Sequence, residues 1–317
     1  MTDLRSKSFS FRAISGIWIF LILSGIGIIS GAFSVFGAET ADVVDYRTFF
    51  GFDPRTTVWI IAELHLMFGA FVLGVPMFAV TVEYVGVLTK EERYDRLAKD
   101  FTRLLSASFA LTAALGGLLT FALFTLYPKV MTFMSGIFHE SFYIYAFFFF
   151  GETFVLYFYY YSWDRLKKRK GIHITAGVLL NIIGLIIMGI SNSWATYMMS
   201  PSGIDPETMK FTGTLMDAIW NPLWNPLNLH RILGNAVFGG YVAGAYAAVK
   251  FLTAQTDEDR AHYDWMGYVG NFIAIVSLLF LPFAGYYLGR EVYSFSPIMG
   301  NNMMGGAFSW TFIIQAI

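Results

Sequence analysis

The sequence predicts an all-α protein: a polytopic membrane helix bundle of seven transmembrane helices with a cytoplasmic N-terminus. Three observations predict it. The chain of 317 residues is 56% hydrophobic and only 14% charged, whereas a soluble domain carries about 25% charged residues. Seven apolar windows recur, at 13–38, 57–82, 104–127, 141–163, 174–200, 229–249 and 265–289. Each is long enough to cross a hydrocarbon core, which takes about 20 helical residues. Basic charge is concentrated in alternate connections: fifteen of the 21 Lys and Arg fall at the N-terminus and in the stretches 90–103, 165–170 and 250–260. Positive charge stays cytoplasmic, which orients the bundle. Barrel-like alternation is absent, and only helices or closed barrels satisfy backbone polar groups in lipid.

Each element follows from its own residues. Window 13–38 lacks the short apolar core and small-residue cleavage site of a signal peptide, so it is expected to be a retained transmembrane helix. The loop 39–54 is outside and moderately acidic. Window 57–82 carries Glu63 and His65, with Glu83 at its inner end. The inner connection KEERYDRLAKDFTR (90–103) is charged and partly helical. His139 and Glu140 precede the fourth crossing, and Glu152 falls near its middle. A short inner clamp (165–170) leads into the fifth crossing. The outer stretch 201–228 holds NPLWNPLN, whose two Asn-Pro steps favour turns, and Trp220 and Trp224 suit an interfacial belt. His230 opens the sixth crossing. Beyond 289 the chain is polar, then apolar over 307–317, too short to span. That tail is expected to lie in the interface, to dock on a partner, or to precede a separate subunit. Three parts result: an extra helix and outer loop (1–56), a core (57–290) and an outer segment with a short apolar tail (291–317).

Composition also excludes functions. A net charge of −1 gives no reason to expect nucleic acid. With no cysteine, the chain can form no disulfide, thiolate-bound iron–sulfur cluster or covalent haem attachment. A redox centre must be held by His, Met or carboxylates, or by another subunit.

Ionisable groups inside a membrane are costly and are functional candidates by default. His65 and His230 both lie near the outer surface. Each is followed four residues later by glycine, Gly69 and Gly234, on the same helical face. Glycine there clears space beside an imidazole, as a flat macrocycle needs; it equally suits close helix–helix contact. Glu152 lies among aromatics at mid-membrane and is expected to pair, stay protonated or relay protons. Glu63 and Glu140 are further proton-transfer candidates. Arg55 and Arg231 are belt cations or partners of an anionic group. His173 and His262 flank inner loops, and water is their expected environment.

Several spacings together resemble subunit I of the cytochrome bd quinol oxidases. His65 follows Arg55 by ten residues and precedes Gly74 by nine and Glu83 by eighteen, as in that family's first helix. GETFVLYFYYYSWDRL (151–166) is similar to its E-S-T-F…W-D-R-L helix end. SNSWATYMMSP (191–201), with Trp194, resembles its A-N-G-W…N-P helix exit, and Pro206-Glu207-Thr208-Met209 its F-E-T-M text. Asn221-Pro222, His230 and Gly240-Tyr241-Val242 resemble its N-P…H…G-Y-V run. The family's E-F-Q-F-G-T-N-W string is replaced by GLLTFALFTLYP (117–128), and its second glutamate position falls on Ile144 or Tyr145, with Glu140 one turn further out.

The resemblance implies that His65 is the axial ligand of an oxygen-site haem and His230 a ligand of a low-spin haem b. Arg55, Gly69, Gly234 and Trp194 would line the cofactors, and Glu152 would serve a proton path. It implies haem b, with haem d as a further option, quinol as substrate, and a prokaryotic cytoplasmic membrane. Electrons would pass to oxygen or to another redox partner such as a periplasmic cytochrome c, with other membrane subunits supplying missing haem ligands. The alternative is a haem-free scaffold anchoring a larger redox assembly. A secondary transporter is a third reading, weakened by the lack of repeat symmetry.

Overall fold

The computed structural model describes residues 48, 49 and 51–304. The expected span at 13–38 and the tail 307–317 lie outside the described residues. Eight helices are described: α1 (Pro54–Thr89), α2 (Glu92–Leu126), α3 (Pro128–Tyr161), α4 (Lys170–Met199), the short α5 (Leu215–Ile219), α6 (Trp224–Thr253), α7 (Asp257–Phe295) and α8 (Pro297–Met304). Six of them, α1 to α4, α6 and α7, are long and apolar enough to cross a membrane. They match the six expected crossings that fall on described residues, and this is an all-helical, multi-pass architecture.

The helices run past the apolar windows because their ends are built from polar residues. α1 starts on Asp53, whose carboxylate accepts from the Thr56 amide (3.0 Å) and hydroxyl (2.7 Å); Pro54 follows, at a position where its missing N–H costs nothing. α7 starts on Thr256, whose hydroxyl accepts from the Asp259 amide at 3.1 Å. Asp257, Glu258 and Asp259 fill its first turn, where negative charge favours the helix dipole. α5 opens on a reciprocal capping box between Thr214 and Asp217. The expected outer loop before residue 141 is helix instead. α3 begins at Pro128, directly after α2, and bends at Phe138, where φ is −104° and ψ 16°. Lys129, His139 and Glu140 depress hydropathy there without breaking the helix.

The described residues form two compact units, one of those up to Leu66 with Ala110–Phe133, the other of Met67–Phe109 with those from Met134 onward. In the first, Ile61, Ala122 and Leu126 make a small buried cluster with Val58, Leu119 and Tyr127. In the second, the core runs from Phe71 and Val75 through Leu97, Phe101 and Leu105 to Tyr159 and Met266. Glycines let backbones touch in this unit, the usual device of membrane helices. A Cβ at Gly74 would collide with the Asn235 carbonyl oxygen on α6, and one at Gly240 would lie 2.7 Å from the Gly270 carbonyl on α7.

Candidate functional site

In the first unit, α1 presents His65 to α2. The ring Nδ1 lies 3.1 Å from the Thr112 carbonyl oxygen. A carbonyl can only accept, so Nδ1 carries the hydrogen, and in the neutral ring the lone pair belongs to Nε2. This is the outer-shell arrangement that orients ligating histidines. Gly116, one turn beyond Thr112, makes room: a Cβ there would lie 2.9 Å from His65 Cε1. Sequence reasoning passed over Thr112 and Gly116, although their i, i+4 spacing on an apolar helix is the same signal it used for His65 and Gly69. A Cβ at Gly69 itself would meet nothing within 4 Å. Arg55 and Glu63 are exposed.

The second unit holds His230 at the start of α6. The ring is half-buried, and its Nδ1 is fully shielded yet has no hydrogen-bond partner among the described residues. Gly285 on α7 admits the ring, since a Cβ there would sit 3.5 Å from His230 Cε1. Beside it, Gly234 faces open space, with nothing within 4 Å of its Cβ position. A buried nitrogen left without a partner costs about 1–3 kcal/mol; shielded as it is, Nδ1 cannot meet an incoming group, and the ring's other nitrogen, Nε2, which is neither shielded nor hydrogen-bonded among the described residues, is the one open to a ligand.

The next residue, Arg231, points toward α4. Its Nη1 donates to Asn192 Oδ1 at 2.5 Å. Asn192 Nδ2 donates to Asn228 Oδ1 at 2.8 Å, and Asn228 Nδ2 to the Trp224 carbonyl at 2.7 Å. Trp194 donates from Nε1 to Ser141 Oγ at 2.9 Å and packs against Phe142 and Tyr145, centroids 4.7 and 5.0 Å away. Tyr145, which stands near the family's second glutamate position, lies within electrostatic reach of both Glu152 and Arg231.

Glu152 is 5% exposed. It makes no hydrogen bond or ion pair among the described residues and lines a cavity with Leu73, Pro76, Asn181, Gly184 and Asn235. A Cβ at Gly184 would lie 3.3 Å from Glu152 Oε1, so glycine there gives the carboxyl its room. Pro76 lacks an N–H, which leaves the Val72 carbonyl at the cavity wall without its helical donor. Glu140 and His139 are exposed, away from this cavity.

The inner end overturns the expectation that His173 and His262 face water. His173 is 0% exposed and His262 7%. His173 Nδ1 lies 2.7 Å from Glu83 Oε1, and Nε2 donates to the Tyr159 carbonyl at 2.8 Å. Glu83 also accepts from Tyr159 Oη (2.7 Å) and Lys170 Nζ (2.9 Å), and Lys170 in turn pairs with Asp95. His262 Nε2 lies 2.8 Å from Asp100 Oδ2. The charged connections fold back over the helix ends and supply these partners, which linear hydropathy cannot register.

Among the described residues no group of three or more His, Asp or Glu could hold a bare metal ion. A group that brings its own in-plane ligands and needs one protein nitrogen fits better. The open His230 nitrogen, the open space at Gly234 and the cation next in sequence suit a haem with its iron and carboxylates.

Residues 54–306 match the family cytochrome bd terminal oxidase subunit I. A protein of Bacillus subtilis (strain 168), provisionally named cytochrome bd menaquinol oxidase subunit I, is 24% identical over 218 residues, 68% of this chain and 47% of the relative. The chain thus spans about half the length of that curated relative. A chain of the bd oxidase from Geobacillus thermodenitrificans superposes with a TM-score of 0.67 at 20% identity, covering 78% of this chain and 58% of the other; that likeness is one of fold. The chain belongs to the cytochrome bd terminal oxidase subunit I family.

Proposed function

We propose that this member of the family binds haem b through His230 and serves quinol-linked electron transfer in a prokaryotic cytoplasmic membrane, together with other membrane subunits. The observation that carries the reading is the His230 imidazole, which has no hydrogen-bond partner among the described residues and lies on a helix matched to the family. When bound, haem supplies one-electron transfer at its iron, with a potential tuned by axial ligand and burial. The chain's residues do the rest. His230 donates a ring nitrogen, and Gly234 leaves the space beside it.

His65 would hold a further haem, b or d, its tautomer and orientation set by the Thr112 carbonyl. Gly69 leaves room one turn on, and Arg55 and Trp194 belong to the cofactor surroundings. Glu152 holds a proton beside its cavity, and the exposed Glu63 and Glu140 take up protons from quinol at the outer face. The terminal acceptor is oxygen or a redox partner such as a periplasmic cytochrome c.

The test is the dithionite-reduced visible spectrum of the purified complex, wild type against His230→Ala. Loss of a b-type band from a folded variant is the expected result. Persistence of every band removes His230 as a ligand. A wild type without haem favours a haem-free scaffold that anchors a larger assembly.

A further inference from the structure

The guanidinium of Arg231 is held in an unusual state. It is half-buried, and its hydrogen-bond partner among the described residues is the neutral amide oxygen of Asn192. A guanidinium offers five N–H donors, so one amide leaves most of them unmet. Withdrawing even part of such a cation from water without an anion to meet it costs free energy. Within electrostatic reach stands Tyr145, which is no carboxylate.

The setting is constructed rather than incidental. Trp224 O accepts from Asn228 Nδ2, and Asn228 Oδ1 accepts from Asn192 Nδ2. This chain fixes both amides so that the Asn192 oxygen faces the guanidinium and orients it. A floppy interfacial cation needs no such support. Arg231 also adjoins His230, so one turn of α6 carries both a donor nitrogen and a fixed cation.

We infer that Arg231 binds an anionic carboxylate, a propionate of the haem held at His230, and raises that haem's reduction potential. The inference rests on the His230 reading above. A fixed positive charge in a low-dielectric site favours the state with one more electron, and Arg is the side chain suited to gripping a carboxylate through paired N–H groups. A phospholipid phosphate offers the same anionic oxygens, and the experiment separates the two sources.

The intact purified complex is titrated spectroelectrochemically as wild type, Arg231→Gln and Arg231→Lys, each before and after removal of anionic phospholipid. The Gln variant is expected to keep the His230-dependent band but to titrate at a more negative potential, with Lys between Gln and wild type. An identical potential in Gln and wild type overturns the inference. So does an equal shift in the wild type on delipidation, which assigns the site to lipid phosphate. If Gln loses the haem while Lys retains it, charge is the requirement and the inference stands. Loss from both folded variants makes Arg231 structural and overturns it. A wild type lacking haem defeats the His230 reading first and this one with it.

Discussion

Two buried groupings of polar side chains in the second unit stand in opposite states. At the end that the charge pattern places inside, Glu83 is met by Tyr159, Lys170 and His173, and Lys170 is shared with Asp95. Trp163 completes the cluster by donating to Asp95 Oδ2 at 3.2 Å and stacking under Lys170 at 4.7 Å. Toward the outside, His230 Nδ1 and the Glu152 carboxyl have no partner among the described residues, and Arg231 has a neutral one. Saturated groups hold a fold together. Buried groups left short of partners destabilise it, and they persist when a ligand or proton completes them. The contrast therefore separates architecture from function within one bundle.

The contrast can be broken most directly by removing one carboxyl from each region. Glu83→Ala strands Tyr159 Oη and His173 Nδ1 and leaves Lys170 with Asp95 alone, and a loss of about 3–5 kcal/mol is expected, as for any buried charge network that loses one member. Glu152→Gln removes a carboxyl with no partner to lose, so thermal unfolding in detergent should be unchanged or raised while turnover slows. Equal losses of stability in the two variants would erase the distinction.

A smaller effect sharpens the packing side. Gly74→Ala pushes a methyl into the Asn235 carbonyl on α6, and such overpacking costs about 1–3 kcal/mol. Gly234→Ala meets open space in the protein alone. It should spare stability and instead lower haem content, read by pyridine haemochrome. A Gly234→Ala protein with full haem content would argue against that space as cofactor room.

The smallest effect lies in the outer loop. Hydrogen bonds from the Thr214 amide and hydroxyl hold the Asp217 carboxyl below its ordinary range. A depressed carboxylate contributes stability that is present above its unfolded value of about 4 and is lost as pH falls through the lower folded value. Amide exchange in α5 should therefore stay slow through neutral and mildly acidic pH and quicken only below that range. Quickening near neutrality would show that the box does not hold the loop.

Much of this molecule was legible as text. Six spans, their order and the placing of His65, His230 and Glu152 on them follow from runs of apolar residues and the side chosen by Lys and Arg. The helix over Pro128–Phe138 was missed because Lys129, His139 and Glu140 lower hydropathy over a stretch whose backbone hydrogen bonds are indifferent to it. Thr112, Gly116, Asn192 and Asn228 were missed because each acquires meaning through a residue on another helix. His173 was misread for the same reason: its partner Glu83 stands 90 positions away, and nothing local announces that they meet.

Apolar length acts through the bilayer, which sums it residue by residue, so the sequence alone determined how many times the described chain can cross. Hydrogen-bond satisfaction acts over about 3 Å between side chains from different helices. Only the tertiary structure could decide that Glu83 is closed by partners while His230 and Glu152 stand open.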